Sequence, residues 1–148
     1  FYSTHDEVEI EMDAHSFSII EYVRLGFHHA YKYYPLERVS FLFDNKGSYQ
    51  IDTAFLFEPP KYEKKLLHHI YNANNALGEK LLKNLSLTKN DKEDVGNLAP
   101  TYMLCYLNGF EEALDKLNEL TAVIKQHSEH AYQGLKDTQR ILRKIKYH

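Results

Sequence analysis

The stretch RLGFHHAYKYY, from Arg24 to Tyr34, gathers an arginine, two adjacent histidines and three tyrosines into one short span. An arginine can stabilise developing phosphoryl charge, and an imidazole can move a proton near neutral pH. Histidine recurs elsewhere, nine times in all. His127 and His130 lie three apart on a predicted helix, His68 and His69 fall on another, and His28 and His29 on a third. A bundle that brought one from each together would offer imidazole ligands to Zn, Ni or Cu. Adjacent histidines diverge by about 100° around a helix, so each adjacent pair supplies one ligand at most. His127, His130 and His68 are therefore an alternative metal set, and no metal or other cofactor is the leading expectation. Cys105 is the single cysteine and sits in the apolar run YMLCYL. That context suits a small core residue rather than a reactive thiol.

Within the same stretch, Arg24, His29 and Tyr31 are spaced R-x4-H-x-Y. This resembles the signature of the HEPN superfamily, helical domains many of which are dimeric, metal-independent ribonucleases. The resemblance covers the eight residues Arg24–Tyr31. It implies an arginine that holds the scissile phosphate and a histidine that activates or positions the 2′-hydroxyl. Other catalytic patterns are missing. The six glycines are scattered singly, so no Gly-rich loop cradles a phosphate. There is no GxSxG elbow and no HExxH or ExxH motif. One cysteine allows neither an internal disulfide nor a CxxC motif.

The elements that would position these residues can be read from periodicity. Val8, Ile10 and Met12 alternate with acids, the pattern of a half-buried strand over residues 7–13. Ser16 suits an N-cap, and Phe17, Ile20, Phe27, Tyr31 and Tyr34 then recur at helical spacing up to Pro35. Val39, Phe41 and Phe43 alternate, as do Tyr49, Ile51, Thr53, Phe55 and Phe57, on either side of DNKG. That predicts a β-hairpin with strands at 38–43 and 48–57, and positive φ for Asn45 and Gly47. Tyr62 to Leu85 predicts a helix with Leu66, Ile70, Ala73, Leu77 and Leu81 on its apolar stripe. A polar connection runs from Ser86 to Asn97, with room for a short helical turn. From Pro100 a 3–4 spacing runs from Met103 to Ile145, like a coiled-coil seam. It predicts one dominant long helix, with Gly109 and Gly134 as the hinge points if it divides.

The expected fold is thus α+β and helix-dominated: a small three-stranded sheet with a β-hairpin, packed by helices and a long C-terminal helix. The 148 residues suit a single domain, with a strand-helix-hairpin part at 1–60 and a helical part at 61–148. In this arrangement Phe27, Tyr31 and Tyr34 pack on the hairpin's Phe face.

A net charge of −3 provides no global basic field to hold nucleic acid. No apolar run is long enough to span a membrane. The lone cysteine and the lack of a visible signal peptide lean towards the cytoplasm, while a first residue of Phe rather than Met leaves room for a leader or anchor upstream.

Twelve tyrosines and eight phenylalanines give the surface a wet, adhesive character. The leading functional expectation is a non-enzymatic interaction module: a soluble sensor, adaptor, inhibitor or assembly domain. It would bind a protein partner or a second copy through its C-terminal helix, using Leu117, Leu120, Ile124, Ile141 and Ile145. The alternatives are a small HEPN-like ribonuclease and a His-rich metal- or ligand-binding helical domain.

Overall fold

A computed structural model describes residues 8–27 and 32–146. The chain forms two compact units. One comprises Phe1–Arg24 and Lys32–Pro60, the other Leu25–Tyr31 and Lys61–His148.

The first unit is an antiparallel meander of four strands, not three. β1 (Val8–Met12), β2 (Ser16–Leu25), β3 (Lys32–Phe43) and β4 (Tyr49–Leu56) lie side by side in chain order. The segment whose spacing suggests a first helix is β2 and the start of β3. Its apolar residues satisfy both periods: Phe17, Ile19, Val23 and Leu25 also fall on one face at period two. Ile19, Ile20, Tyr22 and Val23 are β-branched or aromatic, and such side chains fit a pleated surface better than a helical turn. β2 ends at Gly26, whose φ of +147° suits glycine.

Ser16 closes a hairpin rather than capping a helix. The Asp13 N–H donates to the Ser16 carbonyl at 2.9 Å. The Asp13 carboxylate accepts from the backbone N–H groups of His15 (2.7 Å) and Ser16 (2.9 Å) and from the Ser16 hydroxyl (2.9 Å). Those donors hold the Asp13 carboxyl below the usual carboxylate range.

The β3–β4 hairpin forms where its turn residues place it. Asp44 Oδ1 accepts from the N–H groups of Lys46 and Ser48, and Gly47 takes φ +78°. Asn45 does not adopt positive φ, because a type I turn needs only its following residue in the left-handed region. Pro35 lies within β3, but beyond Glu37↔Leu56, the last pair with β4. On that side no ladder bond is asked of it.

The second unit is helical. It contains α1 (Lys64–Leu82), α2 (Lys89–Asp94), a 3-10 turn (Val95–Asn97), α3 (Leu98–Leu107), α4 (Glu112–Glu119), α5 (Thr121–His127) and α6 (Glu129–Lys146). The single long C-terminal helix does not exist. The chain turns after α3 at Gly109, with φ +98°, while Asn108 Nδ2 donates back to the Leu104 carbonyl at 2.9 Å. Leu120 separates α4 from α5. Ser128 is extended, and its hydroxyl accepts from the Ala131 N–H at 3.2 Å as the N-cap of α6. Gly134 stays inside α6 and breaks nothing.

α3 is the axis of this unit. Every residue from Leu98 to Cys105 is buried, so it has no polar stripe, as expected of a helix enclosed on all sides. α1, α4 and α6 pack around it. Buried on α1 are Leu67, Ile70, Leu77 and Leu81, whereas Leu66 faces outward. α1 comes close at Gly78, where an added Cβ would lie 3.1 Å from a methyl of Leu120.

Candidate functional site

The residues singled out from the sequence do not assemble into a site. Arg24 lies on β2, a strand, and not on the first helix that the R-x4-H-x-Y resemblance implies. His28, His29 and Tyr31 lie outside the described residues. Phe27 packs edge-on to Tyr62 at 5.6 Å, within the helical unit. His127 ends α5 and His130 opens α6, with the extended Ser128 between them. His68 packs edge-on against Phe110 at 4.9 Å. Among the described residues, no three His, Cys, Asp or Glu side chains converge to hold a metal.

The seam residues require a correction. Leu117, Leu120, Ile124 and Ile141 are 0–2% exposed. They form the helical unit's own core, so they present no surface to a partner. The reason is the set of breaks at Gly109, Leu120 and Ser128, which fold the seam back on itself. Ile145 lies in the last turn of α6, and its side chain is outside the described residues.

The exposed apolar surface is instead on the sheet. Register fixes which side chains share a face, since directly paired residues point the same way. Met12 pairs with Phe17, and Ile10 with Ile19. Phe41 pairs with Ile51, and Phe43 with Tyr49. The rings of Phe17 and Phe41 stack at 4.6 Å, joining the two hairpins. Phe43 and Tyr49 lie 5.5 and 5.6 Å from Phe17, with Tyr49 edge-on. One face therefore carries Val8, Ile10, Met12, Phe17, Ile19, Phe41, Phe43, Tyr49 and Ile51 across all four strands. Much of it is in water: Met12 is 73% exposed, Ile51 64%, Ile10 62% and Tyr49 62%.

A β-bulge between Ser40 and Phe41 sets where this face ends on β4. The bulge adds a residue to β4, so Tyr49 and Ile51 stay on the aromatic face while Thr53 and Phe55 move to the other. Phe55 pairs with Arg38, not with the face of Phe41. Strict alternation would have put all of β4's apolar residues together.

The opposite face near the turns is polar and internally paired. Arg38 donates to Glu11 at 2.6 Å and to the Ser18 hydroxyl at 3.3 Å. The Ser18 and Ser40 hydroxyls are bonded at 2.7 Å, and the Tyr22 hydroxyl donates to Glu9 at 2.7 Å. The sheet is thus two-sided: the paired polar groups gather on one face, which also carries Leu42 and Phe55, and the larger exposed apolar cluster lies on the other, with Glu21 opposite Val8.

Over residues 1–148 the sequence matches the family described as a domain of unknown function, DUF5929. The chain belongs to that family. No curated protein and no solved structure matches it. Within this DUF5929 chain, sequence reading finds half of the sheet face. The alternations over Val8–Met12 and Val39–Phe43 show two apolar strand faces. Joining them needs β2 between them, and the helical reading of that segment hides it.

Proposed function

We propose that this chain is a non-enzymatic interaction module that associates with a second copy of itself through the aromatic face of its sheet. The observation that carries this reading is the exposed apolar face spanning β1 to β4. A monomer rarely leaves so large a contiguous apolar patch in water without a use for it.

Two features favour a second copy as the occupant. The most exposed patch residues, Ile10, Met12, Tyr49 and Ile51, are uncharged, and Glu21 shares the face opposite Val8, so a two-fold packing centred on those four demands no complementary charge at its centre. Its size also fits. Val8, Ile10, Met12, Phe43, Tyr49 and Ile51 are each 40–73% exposed and together offer on the order of several hundred Å² per copy. A standard stable interface takes about 800 Å² per partner. Two sheets packed face to face across such a patch make a sandwich with a two-fold axis.

The test is the mass in solution of the wild type and of an Ile10→Lys/Ile51→Lys double variant. Both side chains are exposed, so the variant should keep its circular dichroism and unfolding midpoint. The wild type should sediment as a dimer at high protein concentration and the variant as a monomer. A wild type that stays monomeric, or a variant that keeps the dimer mass, would sink the proposal.

A further inference from the structure

The helical unit holds a cleft of about 280 Å³ that the sheet face does not explain. We infer that it is a binding site for a small organic cation with an apolar body, an alkyl- or aryl-ammonium.

The apolar part of the cleft comes from Phe27 and from Ile70 and Leu77 of α1, with the small side chains of Ala73 and Ala76 leaving the hollow open. The polar part comes from Asn74, Lys80, Asp91, Asp94, Asn97 and Thr101. The lining is mixed, with polar residues at least as numerous as apolar ones, and its volume falls at the small end of ligand sites, which suits a compact, polar-headed ligand.

The polar groups specify the ligand's charge. Lys80 Nζ donates to Asp91 Oδ2 at 2.9 Å, so the one cation of the lining is already neutralised. Asp91 Oδ2 also accepts from the Thr88 N–H in the capping box of α2. Together the Thr88 N–H and the Lys80 ammonium hold the Asp91 carboxyl below the usual carboxylate range. The Asp94 carboxylate, at the exposed rim of the cleft, has no hydrogen bond or ion pair among the described residues. The lining therefore carries one uncompensated negative charge.

Hydrogen-bonding capacity points the same way. Asn74 Nδ2 donates to the Leu98 carbonyl at 3.2 Å, which leaves its amide oxygen to accept. The Thr101 hydroxyl donates to the Gly26 carbonyl at 3.1 Å, which leaves its oxygen to accept. A matching ligand brings N–H donors and positive charge, and the Phe27 ring adds a further attraction for a cation. An anion meets Asp94 and is repelled.

Titration calorimetry on the full chain can test this with three probes of one shape: phenethylammonium, neutral 2-phenylethanol and anionic 3-phenylpropionate. Phenethylammonium should saturate, the alcohol should bind about tenfold more weakly, and the carboxylate should not bind. Asp94→Asn should weaken phenethylammonium about tenfold and bring it level with the alcohol. Ala73→Leu, on an exposed helix position, should fill the hollow and abolish binding while circular dichroism stays unchanged. Equal affinity for all three probes, no saturation by about 10 mM, or indifference to both substitutions would overturn the assignment.

Discussion

Cys105 shows what burial does to one side chain. It is 0% exposed on the enclosed helix α3, and burial pushes its thiol up to about 12. At pH 8 such a thiol is thiolate in only about one molecule in ten thousand, against roughly a tenth or more for an open cysteine. A disulfide reagent should therefore leave the native protein unmodified for as long as it stays folded. In strong urea it should take up one equivalent within minutes. A stoichiometric reaction under native conditions, at a rate independent of denaturant, would show that α3 is not enclosed as described. The run YMLCYL is enough to anticipate this burial, since it carries no charge and its only polar side-chain groups are the two tyrosine hydroxyls.

Elements are legible where a local device ends them. The β3–β4 hairpin is plain in the sequence because Asp44 and Gly47 make the turn without help from elsewhere. α1 is plain because Ile70, Leu77 and Leu81 keep helical spacing over a nineteen-residue span free of proline, although Leu66 and Ala73 of the expected stripe face outward. The segment around β2 is not, because a short apolar run satisfies the helical and extended periods alike and pairing with its neighbours decides between them. The breaks at Leu120 and Ser128 are hidden for a different reason. Leu120 carries no turn signal, and the N-cap signal of Ser128 is masked because the 3–4 apolar spacing runs on across it.

The end of α1 carries its own device. The Leu85 N–H donates to the Lys80 carbonyl at 2.9 Å and the Asn84 N–H to the Leu81 carbonyl at 3.1 Å, the paired bonds of a Schellman cap. Asn84 holds φ +52° to make them. Asn84→Gly should be neutral or stabilising by up to about 1 kcal/mol. Asn84→Val should cost about 1–2 kcal/mol, because a β-branched side chain clashes in that region. Urea unfolding midpoints at constant slope measure both. Equal midpoints for the two variants would mean that the cap contributes nothing.

On the scale of the whole molecule, the two units divide the work. Most of the apolar surface in the helical unit is turned inward on α3, and the largest exposed apolar cluster of the meander lies near the β1–β2 and β3–β4 turns. The Phe43 N–H donates to the His15 carbonyl at 2.9 Å, so both turns lie at one end of the sheet and the aromatic cluster lies beside them. A reading by periodicity finds each strand's apolar side but cannot tell that four such sides form one surface. Nor can it tell that the helical seam, which looks like the adhesive part, is already used.

The helical unit is interrupted in sequence: its first residues begin at Leu25, the last residue of β2, and precede β3. It is therefore not a transferable module. A single recombination event or a single protease cut near residue 60 yields a fragment 61–148 without Leu25, which is 1% exposed in the intact chain, and without the carbonyl that Thr101 bonds. Such a fragment should fold less cooperatively than the whole, with an earlier and broader thermal transition, even though it keeps all six α-helical segments described here. A fragment that melted as sharply and as late as the intact chain would show the interruption to be incidental. In inheritance, the sheet and the helices must travel together, because the strand that leaves one unit leads directly into the other.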